Sequence, residues 1–271
     1  MRLYERLAAR LIGTPLQRPA EWLRRLKGAR DRHAHPELAE LYREGERTQQ
    51  VVRRVIRRDS CCIDIGCHIG AFLQTITSLA PTGRHHAFEP VPHKAAWLRR
   101  KFPGVTVHQI ALGESNGSVE FFVDTARTAM SGFRTAAHGA AQALQVPCRR
   151  LDDVMIAPDA NVGFIKLDVN GAELLVLRGA ERLLLRDRPF VLLECTAGGL
   201  ANHGIDPDDV IGFLQVRVGY RLYLLRDFLT GGPALDAAGL RASMTYPFEA
   251  FNFAAAPLEM MRDDRAPATN E

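Results

Sequence analysis

Four acidic residues stand where apolar, strand-like runs end, and they are the first sign of chemistry in this sequence: Asp64, Glu89, Asp168 and Glu194. In "CCIDIGCHIG", the run from Cys61 to Ile63 is typical of a buried parallel strand. Gly66 and Gly70 then permit a tight turn and a close backbone approach before a helix begins at "AFLQTITSLA". One such acid also fits an ordinary turn with a capping Asp, but the repetition predicts a site for a polar ligand.

The spacing between the turn and the second acid narrows the class of ligand. Glu89 follows Gly66 by 23 positions, the separation at which an acid on the second strand binds the hydroxyl pair of a ribose. The turn lacks the middle glycine of the G-x-G-x-x-G motif, and no G-x-x-x-x-G-K-[ST] phosphate loop occurs. Asp64 would repel a diphosphate and attract an ammonium group. A ribose beside an ammonium indicates S-adenosylmethionine and disfavours NAD or ATP.

Strands and helices alternate along the chain, which predicts an α/β fold with a doubly wound, mainly parallel sheet. Predicted strands include "RHHAFEP", "GVTVHQIAL", "GSVEFFVD", "VGFIKLDVNG", "RPFVLLEC", "YRLYLLRD" and "FEAFNFAAAP". Predicted helices include "PHKAAWLRRKF", "AELLVLRGAERLLLRD" and a segment that begins at Asp206-Pro207, whereas residues 125–142 are predicted to form a loop. Ligands of such folds bind outside the carboxyl ends of the strands, where the strand order reverses. The four acids are therefore expected at one edge of the sheet.

Composition is that of a globular protein of ordinary type. The chain has 271 residues, of which 46% are hydrophobic and 24% charged. No apolar run approaches the roughly 18 residues that a membrane-spanning helix needs, and arginines interrupt the first residues where a signal peptide would have its apolar core. The five cysteines include no C-x-x-C pair. We therefore expect a reduced, cytoplasmic protein without a disulfide framework or a zinc site.

The first residues carry most of the positive charge. Residues 1–59 contain 15 Lys and Arg and 8 Asp and Glu, a net charge of +7, so the remainder carries −3 of the total +4. Leu3, Leu7 and Leu11 recur at helical spacing between arginines, which indicates amphipathic helices. A solvated helical face is the simplest interpretation, and an anionic membrane surface or an acidic partner is the alternative. No motif or aromatic platform supports a nucleic-acid partner.

These patterns predict three segments. Residues 1–58 are expected to form a helical extension, residues 59–257 the main domain and residues 258–271 a flexible tail. The extension is too small to bury much core by itself, so we expect it to serve as a lid or a dimer surface. Contact with a membrane surface through its basic residues, and a homo-oligomer, are hypotheses at this point.

The motifs, taken together, resemble a known family. In order they are "IDIGCHIGAF", "AFEPVP", "IALGESNGSVEFF", "RRLDDV", "IKLDVNGAELLVLRGA" and "FVLLEC", followed by "GY" and "FNF". This succession, over roughly residues 60 to 257, resembles the FkbM-type methyltransferases. The resemblance implies a class I, Rossmann-like methyltransferase fold with a seven-stranded sheet. It also implies S-adenosylmethionine as the methyl donor and hydroxyl acceptors on sugars, glycolipids or polyketides.

Site residues follow from the resemblance position by position. Asp64, Gly66 and Gly70 would shape the methionine side of the cofactor pocket, and Glu89 would hold the ribose. The pair that follows the third strand should lie near the adenine: Ala111 and Leu112.

Two positions depart from the family pattern. His68, also expected in the cofactor pocket, stands where the family usually has Asn. Asn170 stands where the D-x-E-G-x-E motif has its first Glu, so the cluster is Asp168, Asn170 and Glu173. The loss of one carboxylate weakens the case for a divalent metal. These departures also motivate the alternative that the chain is a non-catalytic scaffold that binds the cofactor.

Two acids are candidates for the catalytic work. A sugar hydroxyl is a poor nucleophile, so a nearby base is useful, and Asp168 is the first choice because its strand is expected beside that of Asp64. Glu194 is the second candidate. Each has a structural alternative: Asp168 could bond the following turn, and Glu194 could cap the next loop. Glu173 is interpreted as a first-turn helix acid. The loop around residues 129–132 could cover the acceptor.

Overall fold

A computed structural model of the protein describes residues 3–17, 19, 29–124, 132, 141–155 and 161–260. The strands of these residues are, in chain order, β1 Cys61–Ile65, β2 His85–Phe88, β3 Val105–His108, β4 Ala111–Leu112, β5 Gly117–Asp124, β6 Ala141–Arg149, β7 Val162–Leu167, β8 Phe190–Glu194, β9 Tyr220–Leu224 and β10 Asn252–Pro257. Seven of them form one sheet in the order β3-β2-β1-β7-β8-β10-β9. The others form a second sheet in the order β4-β6-β5.

Helices connect the strands and cover the main sheet. Those described are α1 Leu3–Leu11, α2 Ala29–Ala34, α3 Ala39–Tyr42, α4 Glu44–Val55, α5 Ala71–Leu79, α6 Pro92–Lys101, α7 Leu151–Val154, α8 Glu173–Arg178, α9 Glu181–Asp187, α10 Ala197–Asn202, α11 Pro207–Gly212, α12 Leu225–Thr230 and α13 Ala237–Ser243. A 3₁₀ turn precedes α3 at Pro36–Leu38, and a π-helical segment follows α11 at Phe213–Arg217. Among the described residues, no helix is long and apolar enough to cross a membrane.

The main sheet confirms the predicted doubly wound α/β architecture. Its strands pair in parallel except β10, which is antiparallel to both β8 and β9. From β1 the chain builds outward through β2 to β3, and then returns to the other side of β1 with β7. The strand order therefore reverses between β1 and β7, which is where such sheets bind their ligands.

Both faces of the main sheet are buried, which explains why its inner strands are apolar at nearly every position. Alternate residues of one strand enter different cores because successive side chains point to opposite faces. Two clusters of buried apolar side chains lie against these faces. Ile63 of β1 belongs to the larger cluster and Cys62 to the smaller one. Phe164 of β7 stacks between Phe72 and Phe190 in that smaller cluster.

The second sheet corrects two predictions. The segment "GVTVHQIAL" is not one strand: β3 ends at His108 in the main sheet, and β4 begins at Ala111 in the other. Residues 141 and 142, predicted as loop, begin β6, which pairs antiparallel along the whole of β5. Pro147 lies within β6 and donates no backbone hydrogen bond, so the segment does not have a typical strand pattern.

The predicted helix over residues 172–187 is two helices, α8 and α9, separated at Gly179-Ala180. A β-carbon at Gly179 would lie 2.0 Å from the backbone oxygen of Gly113, so this break lets the chain touch the turn after β4. The last residues of the predicted strand "YRLYLLRD" are helical and begin α12 at Leu225. The helix starts at Pro92 and Pro207 are confirmed.

Residues 29–55 contact the main sheet closely. Val51 and Val52 of α4 are fully buried in the smaller cluster. At the first residue of α4, Oε1 of Glu44 accepts hydrogen bonds from the backbone nitrogens of Phe251 (2.6 Å) and Asn252 (2.7 Å), where β10 begins. The predicted division of the chain at residue 58 stays a prediction, although α4 shares its apolar core with the sheet.

Candidate active site

A cavity of about 260 Å³ opens at the carboxyl edge of β1, β2 and β7, where the strand order reverses. Seven of the nine residues predicted for the site line it: Asp64, Gly66, His68, Glu89, Ala111, Leu112 and Asp168. The other lining residues are Ile65, Cys67, Ile69, Ala71, Phe72, Phe88, Pro90, Lys94, Ile110, Phe121, Lys166, Val169 and Asn170. The two remaining predicted residues, Gly70 and Glu194, are not part of the lining.

The two glycines of the turn after β1 permit close approaches of different kinds. Gly66 has a φ of 82°, and a β-carbon on it would lie 1.8 Å from the backbone oxygen of Asp168. Gly70 begins α5 with a φ of 85°, and a β-carbon there would lie 2.5 Å from the ring of Phe102 and 2.8 Å from Leu98. Gly66 therefore joins the β1 turn to the β7 turn, whereas Gly70 lets α6 pack against α5.

Asp64 is a fully buried acid with no partner for its carboxylate. Neither Oδ atom accepts a hydrogen bond from the described residues, although an unpaired buried carboxylate is costly. Burial raises the pKa of Asp64 to about 6, against the opposing effect of Lys166 on the neighbouring strand. The cavity therefore presents two acceptor oxygens that need a donor.

Glu89 is held in the opposite manner, by the backbone. Its Oε2 accepts from the backbone nitrogen of His68 and its Oε1 from that of Val91, each at 2.9 Å. A carboxylate oxygen has two acceptor positions, so each oxygen keeps one for a ligand. Burial raises the pKa of Glu89 to about 7, while nearby Lys94 and the two amides oppose the rise.

His68 connects the cavity to the N-terminal helix α1. Its Nε2 lies 3.2 Å from Oε1 of Glu5, which is itself 2% exposed. Burial, together with the charge of Lys94, lowers the pKa of His68 to about 4, although Glu5 opposes this. Sequence reasoning placed His68 here but missed Glu5 and Lys94, because their positions depend on packing between helices.

The wall between β2 and the second sheet is apolar. Phe88, Ile110 and Phe121 line it together with the predicted pair, Ala111 and Leu112. A flat aromatic base fits such a wall better than a charged group does.

At the opposite wall, Lys166 and Asp168 form a close ion pair. Nζ of Lys166 lies 2.6 Å from Oδ2 of Asp168, and the Lys166 side chain is 11% exposed. Burial alone lowers the pKa of Lys166, but the carboxylates of Asp168 and Asp64 outweigh it and the net direction is upward. Lys166 was missed in the sequence. Its signal is a lysine inside an apolar strand, two residues before Asp168 and therefore on the same face.

Glu194 reaches Asp168 from the next strand. Leu167 and Leu193 are register partners, so Asp168 and Glu194 follow them side by side, and burial followed by the charge of Asp168 raises the pKa of Glu194. Below, the β1–β2 end of the site means Asp64, His68 and Glu89, and the β7–β8 end means Lys166, Asp168 and Glu194.

Glu173 shapes the turn that follows β7. Its Oε1 accepts from the backbone nitrogens of Val169 and Gly171, each at 3.0 Å. Asn170, between them, has a φ of 56° and lines the cavity. The acid begins α8, as its interpretation as a first-turn acid requires. Burial raises its pKa to about 7.

Gly132, from the predicted acceptor loop, pairs with Phe122 and lies against Asn170. Residues 129–131 of that loop lie outside the described residues. Across the part of the chain that the structure describes, no group of three or more His, Cys, Asp or Glu side chains is arranged to hold a metal ion.

Numbered within the main sheet, the strand order is 3-2-1-4-5-7-6 with one antiparallel strand, and the acids meet at its carboxyl edge. This is a Rossmann-like fold with its candidate site where the strand order reverses. The family model for the methyltransferase FkbM domain matches residues 64–222, which is more than half of the chain. The chain belongs to the FkbM methyltransferase family.

Several solved structures have a similar fold. One is the methyltransferase FkbM from Methylobacillus flagellatus KT, with 18% identity, 74% of this chain and 44% of that chain covered, and a TM-score of 0.46. Another is precorrin-6y C5,15-methyltransferase from Geobacter metallireducens GS-15, with 16% identity, coverages of 65% and 71%, and a TM-score of 0.38. A third is the sugar N-methyltransferase KedS8 from Streptoalloteichus sp ATCC 53650, with 18% identity, coverages of 57% and 49%, and a TM-score of 0.30.

The chain thus spans less than half of the length of the first of these proteins. A comparison with curated proteins found no match.

Proposed function

We propose that this protein transfers a methyl group from S-adenosylmethionine to a hydroxyl oxygen of a sugar, glycolipid or polyketide-type metabolite. The observation that carries the proposal is the carboxylate of Asp64, buried in the cavity without a hydrogen-bond donor. An ammonium group would supply both charge and donors there. A diphosphate would add negative charge to a buried anion, which argues against NAD and ATP.

The other residues of the cavity fit the same cofactor. Each oxygen of Glu89 keeps one acceptor position, which suits two neighbouring ribose hydroxyls. The apolar wall of Ala111 and Leu112 lies beyond Glu89 and suits an adenine. The cavity therefore matches the order of groups in the cofactor: Asp64 suits the ammonium, Glu89 the ribose and the apolar wall the base.

Methyl transfer from a sulfonium is an in-line displacement, so the protein must align the acceptor and remove its proton. S-adenosylmethionine supplies an electrophilic methyl carbon and a sulfur that takes the electron pair of the broken bond. We assign the acceptor proton to Asp168, which lines the cavity at the β7–β8 end and whose Oδ2 lies 2.6 Å from Nζ of Lys166. The acceptor is proposed to be a small molecule or glycan rather than a nucleic acid.

A scaffold that binds the cofactor without turnover is the second candidate, because Asn170 replaces a carboxylate of the family motif and lines the cavity. The two candidates differ at one point only. An enzyme needs a proton acceptor, whereas a scaffold gains nothing from Asp168.

The test has two stages. Calorimetry with S-adenosylhomocysteine, the demethylated product, should show binding to the wild type, and absence of binding overturns the proposal. Labelled S-adenosylmethionine is then incubated with a panel of sugars, glycolipids and polyketides. Asp168→Asn should lower turnover by about 10²–10⁴-fold, whereas Asp208→Asn, an exposed acid on α11, should not.

Label on nitrogen or carbon would contradict the hydroxyl assignment, and full activity of Asp168→Asn would remove Asp168 from the chemistry. Binding without transfer to any member of the panel favours the scaffold. Activity is expected to survive EDTA.

We also propose that the protein works in the reducing cytoplasm. All five cysteines are buried and unpaired, which supports this location. Detection of the protein in an oxidising compartment would contradict it.

A further inference from the structure

The β7–β8 end of the site contains a buried lysine that the proposed reaction has not yet used. Lys166 makes one hydrogen bond among the described residues, to Oδ2 of Asp168 at 2.6 Å. Its Cα is the register partner of Asp64 across β1 and β7, so both side chains point to the same face of the sheet. The ring of Phe72 lies 5.7 Å from Nζ and closes another side.

Glu194 approaches the same acid from β8. Leu167 of β7 and Leu193 of β8 are register partners, so Asp168, which has the ammonium of Lys166 at Oδ2, has Glu194 as its neighbour on the next strand. Two neighbouring carboxylates repel each other when both are ionised, which favours a proton on the more strongly buried one. One lysine charge then balances one carboxylate charge.

We propose that Lys166, Asp168 and Glu194 act as one unit, in which Lys166 is the positioning residue that orients the carboxylate of Asp168 toward the acceptor. This inference rests on the proposed function, and it adds that Glu194 is the protonated member and not a second base. A lone Asp168 would turn freely about its side-chain torsions. Because Lys166 holds Oδ2 of Asp168, the lone pairs of Oδ1 keep a fixed direction and stay available.

The proposed step balances as follows. A lone pair of the acceptor oxygen forms the new bond to the methyl carbon, the carbon–sulfur bond breaks, and its electron pair stays on sulfur. The O–H proton passes to Asp168. The side chain of Asp168 is 27% exposed, so the proton that it accepts can pass to water.

Neighbouring charges define what a titration should show. The groups that face Glu194 are Asp168 and Lys166 on β7 and Glu173 on α8, and Asp64 on β1 faces Lys166. Asp168 raises the pKa of Glu194 after burial does, whereas Lys166 lowers it. Removal of Asp168 should therefore lower the pKa of Glu194, whereas removal of Lys166 should raise it.

The experiment follows carboxyl carbons by NMR in the free, full-length protein and assigns Glu194 by comparison with Glu194→Gln. In Lys166→Met, the midpoint of Glu194 should rise by about 0.5–1 pH unit, and in Asp168→Asn it should fall by a similar amount. Lys166→Arg keeps the charge and should titrate like the wild type. Lys101→Met, at the end of α6 and outside the cavity, is the matched control.

If Glu194 titrates in folded Lys166→Met as it does in the wild type, the proposal that the three residues act as one unit is wrong. Thermal unfolding shows whether the variant is folded. If Lys166→Met does not fold, Asp168→Asn decides: an unchanged midpoint of Glu194 overturns the proposal. Affinity for S-adenosylhomocysteine is measured alongside. A wild type that fails to bind it contradicts the proposed function while the titration still tests the unit, so the two failures are distinguishable.

Discussion

At the β1–β2 end of the site, Glu89 is held by two backbone amides, whereas neither carboxylate oxygen of Asp64 has a hydrogen-bond partner among the described residues. At the β7–β8 end, Asp168 is held by the side chain of Lys166 and lies beside Glu194 of the next strand. Backbone amides keep their positions when a side chain changes, whereas a side-chain partner can be removed by one substitution. The β1–β2 end is therefore built as a fixed receptor, and the β7–β8 end as a group that can gain and lose a proton.

The largest effect is expected where the two ends touch. Gly66→Ala would place a β-carbon 1.8 Å from the backbone oxygen of Asp168, at a φ of 82° that other residues rarely adopt. Backbone atoms cannot turn aside as a side chain can, so we expect a loss of at least about 3 kcal/mol in the free energy of unfolding. Denaturant unfolding measures it.

Gly45→Ala is the matched control, since a β-carbon on Gly45 in α4 would meet nothing within 4 Å. This variant should gain up to about 1 kcal/mol through its helix propensity. If Gly66→Ala is as stable as the wild type, the β1 and β7 turns are not in fixed contact. The two ends of the site would then not be held at a fixed distance from each other.

The next effect concerns the acid that the backbone holds. Glu89→Ala removes the acceptor of the ribose hydroxyls and should weaken S-adenosylhomocysteine binding by about 1.5–3 kcal/mol. It also leaves the amides of His68 and Val91 without their partner, so the free energy of unfolding should fall by about 1–3 kcal/mol. Calorimetry and denaturant unfolding give the two values, with the exposed Glu120→Ala on β5 as the control.

Glu89→Gln keeps one carbonyl oxygen and should lie between the wild type and Glu89→Ala in both measurements. Unchanged affinity in Glu89→Ala would remove Glu89 from the cofactor site.

Asp64 differs from Glu89 because no backbone amide of the described residues donates to its carboxylate, so its removal leaves no donor unsatisfied there. Its pKa is raised to about 6 in the folded protein from an ordinary value of 3.8, so the folded state binds the extra proton between these values. Stability contributed by Asp64 is therefore present below about pH 4 and is lost as the pH rises through 6. At pH 8, Asp64→Asn should be about 1–3 kcal/mol more stable than the wild type.

The same variant should bind S-adenosylmethionine more weakly, since the ammonium loses its counter-charge, and wild-type affinity should fall as the pH drops through 6. Thermal unfolding and calorimetry at pH 5 and pH 8 measure both trends. A less stable Asp64→Asn at pH 8 would mean that Asp64 is satisfied in the free protein, which would erase its contrast with Glu89.

The contrast between the two ends also explains what the sequence could predict. Glu89 was found through its distance from Gly66, because a strand, a turn and the next strand fix that distance along the chain. Asp168 was found because its strand lies beside β1. Glu194 lies on a separate strand from Lys166 and Asp168, and no local spacing records that they are neighbours. The same reason applies to β6, whose pairing with β5 depends on a partner across the hairpin.

The smallest effect is expected at the contact between α1 and His68. Glu5→Gln removes the charge of the Glu5–His68 pair but keeps a hydrogen-bond partner 3.2 Å from the ring. The His68 pKa lies near 4, so the ring is neutral at pH 7 in either protein and the pair is a hydrogen bond rather than a full ion pair. We therefore expect affinity for S-adenosylhomocysteine to change by less than about 1 kcal/mol. Calorimetry at pH 7 compares Glu5→Gln with Glu120→Gln. A loss of about tenfold or more, 1.4 kcal/mol, would show that α1 belongs to the receptor at the β1–β2 end and that this end is not held by backbone alone.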